Sequence, residues 1–285
     1  MTVQICLGTA QFGSDYGITN EHGQVSSANV SNILSLAHQK NIQYLDTARS
    51  YGNSEIVIGS NLPLDQNFLF ISKLEAQNHQ YFTKHNVEMW ESAFKQSCYN
   101  LKVSRLDSYL VHSPMDLRKD GYSFLVKWLL GLKDRGLVKR LGISIYNSDD
   151  LQNVPIELLD IVQLPLSLFD QRLLEDGTID YLRSNNVAIH ARSLYLQGLL
   201  LTPASQWPYW ASVDAVNHQS NLELFAKKQK CNLIDLAVGF AHEQDYLEAV
   251  VLGICNTHQL IQLTDAWSRP SPWSNRQWST WALND

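Results

Sequence analysis

YLDTARSYGNSE, residues 44–55, is the stretch on which the reading of the fold turns. A short apolar run, 42–45, ends on Asp46, and five residues later comes Tyr51, followed at once by Gly52. A four-residue apolar run that stops at a charged residue and gives way to Gly and Asn reads as a buried strand entering a polar turn. Ser54 then stands where a helix cap is expected, with Glu55 in the first turn, where a carboxylate is favoured.

Outward from this stretch the same unit recurs. Strand-like apolar segments lie at 5–7, 42–45, 68–72, 106–111, 141–144, 161–164, 187–191 and 249–252. Amphipathic segments separate them: 27–40 places Val30, Ile33, Leu34 and Ala37 on one face, and 87–101 does so with Trp90, Phe94 and Tyr99. Near-continuous apolar strands alternating with helices specify a parallel sheet covered by helices. Eight such units in 285 residues match a closed (β/α)8 TIM barrel better than the rival open, doubly wound sheet. The first strand is followed by LGTAQFG, residues 7–13, which is not the GxGxxG of a dinucleotide-binding open sheet. With no Pro/Gly/Ser-rich linker and no tandem repeat, 1–285 reads as a single domain. Two segments stand outside the alternation. Residues 202–219, with Trp207, Pro208, Tyr209 and Trp210, read as an extended loop after the seventh strand. Residues 264–285 carry Trp267, Trp273, Trp278 and Trp281, too heavy an apolar load for a free tail.

Composition narrows the function. A formal charge of −6 with 22 thinly spread Lys and Arg argues against nucleic acid or an anionic membrane surface as partner, and leaves a small molecule. The amino terminus lacks the features of a secretory signal, and no run of roughly 18 apolar residues occurs, so no membrane span and a cytoplasmic location are expected. Cys6, Cys98, Cys231 and Cys255 are far apart, without CxxC or a neighbouring His. They read as buried reduced thiols, and neither a disulfide framework nor a metal site is expected.

In a barrel of this kind the strand ends carry the chemistry. Asp46, Tyr51 in the next loop, Lys73 and His112 all follow apolar runs. Singly, each has a structural explanation: a helix cap, half-buried packing, a snorkelling lysine, a satisfied rim histidine. Together they can move a proton. A free phenol has a pKa of about 10, too high for exchange near neutrality. A lysine ammonium beside it favours the phenolate and lowers that pKa, an aspartate keeps the buried ammonium from standing alone, and a histidine can orient a carbonyl oxygen.

The order DTARSYGNSE, then SKL at 72–74 and YLVHSP at 109–114, resembles the aldo-keto reductases. LGTAQFG, LGIS at 141–144, IVQLPLSLFDQR at 161–172 and VVLGICNTHQL at 250–260 extend the resemblance over nearly the whole chain. It implies a barrel that binds NADPH across its carboxyl-terminal face, without a metal, and passes hydride to a small-molecule carbonyl. Tyr51 would be the general acid, tuned by Lys73 and Asp46, with His112 orienting the carbonyl. Cofactor contacts are implied at Gly8, Thr9, Asp46, Ser144, Gln163, Arg192, Gly253, Asn256 and Gln259, with Ser144 and Gln163 on the carboxamide. Three positions depart from the family pattern. Ile145 replaces an asparagine that usually follows the serine. Arg192 stands where relatives stack an aromatic ring on the nicotinamide, and could stack, bind a substrate anion or form a structural salt bridge. Gly253 and Gln259 stand where many relatives place a lysine and an arginine on the 2′-phosphate. Backbone N–H groups at 253–256 and the next helix amino terminus can still receive a phosphate, so NADH or dual use stays open beside NADPH.

The pattern at 7–20 and the segment RSLYLQGLLL, 192–201, resemble a bacterial branch associated with polysaccharide and sugar-nucleotide pathways, which implies a keto sugar, free or nucleotide-linked. Arg192 and the aromatic loop 207–210 would suit it. Two other functions compete: a catalytically silent nicotinamide-binding regulatory barrel, which predicts a damaged tetrad where all four positions are intact, and a lyase in which Lys73 forms a Schiff base, which residue type alone leaves open.

Overall fold

The computed structural model describes residues 2–269, 271 and 278–283. The described residues form eight strands: β1 Gln4–Gly8, β2 Tyr44–Asp46, β3 Leu69–Leu74, β4 Leu106–Val111, β5 Val138–Ser144, β6 Ile161–Pro165, β7 Ala188–Arg192 and β8 Ala249–Gly253. Each overlaps one of the apolar segments read from the sequence. The strands are parallel and follow one another in chain order, with β8 returning to β1, so the sheet closes into the expected (β/α)8 barrel. Cys6, Tyr44, Ile71, Leu110, Ile161 and Ala249, from six different strands, make one apolar cluster. A larger cluster lies between the strands and the surrounding helices. Alternation of side chains across each strand feeds both.

Helix formation follows local chemistry. Helix Ser27–Gln39 begins where the Ser26 side chain accepts from Asn29 N at 3.3 Å, and it buries Val30, Ile33, Leu34 and Ala37. Helix Lys84–Leu101 starts three residues before the periodic pattern does, because Thr83 and Asn86 form a reciprocal capping box. It buries Trp90, Phe94, Cys98 and Leu101; Tyr99, one position off that stripe, is 79% exposed instead of joining it.

One cluster of charged groups in the barrel is internally paired. Glu248 Oε1 accepts from Tyr44 Oη at 3.1 Å and Arg140 Nη1 at 2.6 Å, and pairs with His190 Nε2 at 2.9 Å. Arg140 also grips Asp107, so the charges are buried only in company.

The connection after β7 is shorter than the sequence suggested. Helix Val213–Gln229 begins at Val213, capped by Ser212, and Gln219 is buried within it, donating to Leu200 O and Thr202 O at 3.1 and 2.9 Å. The irregular stretch therefore ends at Ser212 rather than 219. At the carboxyl terminus Trp267 closes helix Thr257–Trp267, Trp278 is buried with its Nε1 donating to Glu243, and Trp281 packs against His218. Trp273 lies outside the described residues. Among the described residues, no helix is long and apolar enough to cross a membrane. All four cysteines are free; Cys6 and Cys98 are buried as expected, but Cys231 and Cys255 are only half-buried.

Candidate active site

Strand register brings the site together. Asp46 ends β2 opposite Gly8 of β1, Gly8 also faces Gly253 of β8, Ser144 at the end of β5 faces Gln163, and Lys73 lies in β3 next to Leu110. Residues spread over the chain thus share one end of the barrel.

Lys73 and Asp46 are its centre. Lys73 Nζ donates to both Asp46 oxygens at 2.7 Å and to Thr47 O at 2.9 Å, and the two residues are 1% and 3% exposed. Burial works against the ammonium, but the Asp46 carboxylate outweighs it, with a contribution from Tyr51, so Lys73 stays charged with a raised pKa. Gln163 Nε2 donates to Asp46 Oδ1 as well, which completes the carboxylate's surroundings.

Tyr51 sits on the loop after β2, with Lys73 Nζ 5.1 Å from its ring centroid. Backbone packing fixes that loop. A Cβ on Gly13 would overlap Tyr51 O and Ser54 N, and a Cβ on Gly52, whose φ is +56°, would overlap Gly13 O. The turn Ala10–Gly13 thus lies directly on the tyrosine loop, with no room for side chains between. Ser54 is not the helix cap. Asn53 holds that position, and Ser54 Oγ is buried, donating to Thr9 O at 2.9 Å and accepting from Thr47 Oγ1 at 3.1 Å. Glu55 does lie in the first turn, buried, accepting from Ser72 Oγ at 2.7 Å. The acidity of Tyr51 also departs from expectation. Burial raises its pKa and Asp46 adds to this; Lys73 opposes both without overcoming them, so the phenol keeps its proton.

His112 follows β4, its ring edge-on to Tyr51 at 5.9 Å, with Nδ1 3.2 Å from Ser50 Oγ. Burial and the positive charges of Lys73 and Arg192 lower its pKa to about 4, against the pull of Asp46, so the imidazole is neutral near pH 7.

These groups open onto a cleft of about 570 Å³. Tyr51, His112, Asp46 and Ser144 line one part of it, and Gly8, Thr9, Gly253, Asn256 and Gln259 also contribute. Lys73 and Gln163 do not line it and bond Asp46 from behind. Asn256 Oδ1 accepts from Gln259 N at 2.9 Å, capping helix Thr257–Trp267, and Gln259 Oε1 accepts from Cys255 N at 2.7 Å. Both side chains are therefore engaged in shaping the helix start. Trp207, Tyr209 and Trp210, expected to suit a sugar, do not line the cleft; Tyr16 and Tyr146, which sequence reasoning passed over, do. Tyr146 lies two residues beyond the end of β5. Its ring lies under the guanidinium of Arg192, 4.1 Å from the centroid. Arg192 forms no salt bridge within 4.0 Å among the described residues, so that use of it is set aside. Nor do the described residues contain a group of three His, Cys, Asp or Glu placed to hold a metal.

Comparison with known proteins places the chain in a family and a fold. Mouse "Aldo-keto reductase family 1 member A1" is 26% identical over 209 residues, 65% of this chain and 58% of the mouse protein. The chain thus matches little more than half the length of that relative. Among solved structures, aldo-keto reductase AKR11C1 from Bacillus halodurans in its holo form superposes with a TM-score of 0.78 at 17% identity, covering 100% of this chain and 93% of that one. A variant of Gox0644 solved in complex with NADPH superposes with a TM-score of 0.70 at 20% identity, covering 99% and 90%. At such identities the structural likeness is one of fold. The sequence model of the aldo/keto reductase family matches residues 4–282, nearly the full barrel with its strand-end Asp46, Lys73 and His112, and the chain belongs to that family.

Proposed function

We propose that the protein reduces an aldehyde or ketone to the alcohol, using a nicotinamide cofactor as hydride source and Tyr51 as proton donor. The reading rests on one observation: Tyr51 and His112 share a cleft wall, backed by a Lys73–Asp46 pair with both carboxylate bonds at 2.7 Å.

A cleft of about 570 Å³ lies in the usual range for small-ligand sites. Nicotinamide, when bound there, supplies the hydride. Ser144, Gly8, Thr9 and the backbone N–H groups ahead of helix Thr257–Trp267 are the groups that would hold the cofactor. Arg192 is the only Lys or Arg among the cleft's described lining residues. A 2′-phosphate therefore meets no cation of its own, which supports use of NADPH and NADH with little discrimination.

His112 Nδ1 lies 3.2 Å from Ser50 Oγ, and in the tautomer in which Nδ1 accepts that hydroxyl the ring offers Nε2–H to the substrate oxygen. Tyr51 donates its proton to the oxygen as the alkoxide forms, and Lys73 stabilises the phenolate left behind, while Asp46 keeps Lys73 charged and in place. Keto sugars, free or nucleotide-linked, are the favoured substrates, and the exposed faces of Tyr16 and Tyr146 support this. The cytoplasm is the favoured compartment, consistent with four free thiols. A Schiff-base lyase is disfavoured because Lys73 is an ion-paired ammonium, not a free amine. A silent barrel is disfavoured because Asp46, Tyr51, Lys73 and His112 are all present and assembled.

Titration of tryptophan fluorescence with NADPH and with NADH, followed by a carbonyl panel rich in keto sugars, tests the proposal. Binding of both cofactors within about tenfold of each other, a gap of 1.4 kcal/mol, and oxidation of the bound cofactor by a carbonyl are expected. Failure to bind either cofactor would overturn it.

A further inference from the structure

We infer that Arg192 is a fixed clamp for an anionic group on the substrate, a carboxylate or a phosphate, so that the reductase proposed above selects charged over neutral carbonyl compounds. The inference rests on that reading for its substrate class, but its physical basis is the arginine's surroundings.

Arg192 ends β7 at the same barrel rim as Ser144 and Asp46. Its Nη2 donates to Ile145 O at 2.9 Å, its Nη1 to Ser193 Oγ at 3.3 Å, and its guanidinium lies 4.1 Å from the Tyr146 ring centroid. Two hydrogen bonds and a stacked ring hold the planar group in one orientation, which removes most of the entropy cost of using it. A guanidinium carries five N–H donors, and these two bonds are the ones it makes among the described residues. The remaining donors can meet a planar or tetrahedral oxyanion.

Charge points the same way. No carboxylate of the described residues lies within 4.0 Å of Arg192, whereas Lys73, the other cation near the site, is ion-paired with Asp46 and does not line the cleft. Arg192 thus contributes a net positive charge to this part of the cleft. That charge reaches the reacting groups: it helps to lower the pKa of His112, and it opposes the upward shift of Tyr16. An anion seated on Arg192 therefore lies within electrostatic range of the Tyr51–His112 pair that receives the carbonyl. Tyr16 and Tyr146 supply aromatic walls beside it. Stacking on a nicotinamide, the other use of a residue at this position, would have to take the guanidinium face that Tyr146 does not cover.

Matched pairs test the inference: succinate semialdehyde against butanal for a carboxylate, and glyceraldehyde phosphate against glyceraldehyde for a phosphate. In the wild-type enzyme kcat/KM should favour the charged member of at least one pair by about 10- to 100-fold, the range of charge-assisted hydrogen bonds. Which pair responds identifies the anion. Arg192→Met should abolish that ratio and Arg192→Lys should retain part of it, since lysine keeps the charge but loses the fork. Calorimetric titration with succinate and with inorganic phosphate adds a readout that needs no turnover. Affinity for one of them should fall about tenfold or more in Arg192→Met at unchanged melting temperature. Loss of anion binding without turnover of any carbonyl would sustain the clamp and overturn the reductase reading instead. Ratios near one in the wild type, or ratios and anion affinities unchanged by Arg192→Met, would overturn the clamp.

Discussion

Lys73 Nζ bonds both oxygens of Asp46 at 2.7 Å, and neither residue is more than 3% exposed. Such a pair is held by mutual need, since removing one partner strands the other in a medium that penalises lone charge. Lys73→Met should therefore cost about 3 kcal/mol in stability by urea denaturation, and about 100-fold or more in turnover. Adding Asp46→Asn should recover much of the stability and none of the turnover. Independent, additive losses in the double-mutant cycle would show that the two charges do not support each other.

Gly13 governs Tyr51 although it takes no part in the chemistry. A methyl group there would occupy the space of the Tyr51 carbonyl and the Ser54 amide, both backbone and unable to rotate away. Gly13→Ala should destabilise the protein by about 1–3 kcal/mol. It should also reduce kcat by about 100-fold by displacing the phenol. Gly131→Ala is the control, since a Cβ at Gly131, in helix Tyr122–Asp134, meets nothing within 4 Å. That variant should melt no lower than wild type and turn over normally.

The pH dependence of carbonyl reduction follows from two shifts. His112, lowered to about 4, is neutral above that value, and Tyr51, raised above its ordinary 10, keeps its proton below it. kcat/KM should be flat from about pH 5.5 to 8.5, fall on the acid side only as His112 takes up a proton at about pH 4, and fall on the alkaline side as Tyr51 ionises. A bend near pH 6.5, the ordinary value for imidazole, would mean that His112 is not held neutral by burial and its cationic neighbours.

Much of this was legible in the sequence, and the exceptions have physical reasons. The eight strands announced themselves because a strand covered on both faces is apolar throughout. Asp46, Lys73 and His112 were legible because each interrupts or ends such a run. Gly13 was not, because its contacts with the Tyr51 loop are between backbones and leave no side-chain signature. Ser54 looked like a cap because the same hydroxyl that caps an exposed helix can cross-link two buried loops, here with Thr9 and Thr47. Helix Val213–Gln229 was hidden because it buries only Gln219, Leu222 and Ala226, too thin an apolar stripe to show period, while nearby aromatic residues suggested a loop. Tyr51's raised pKa was missed because residue types reveal that a lysine is near but not how completely the phenol is removed from water.

The central claim is that Tyr51 donates the proton. Tyr51→Phe deletes one oxygen and leaves the ring beside Lys73 and His112, so the decisive measurement is carbonyl-dependent oxidation of the reduced cofactor by that variant, with its cofactor dissociation constant as control. Turnover should fall by about 100- to 10,000-fold, the scale of a lost general acid, while cofactor affinity stays within about threefold. Turnover within a few-fold of wild type on a ketone would contradict the assignment.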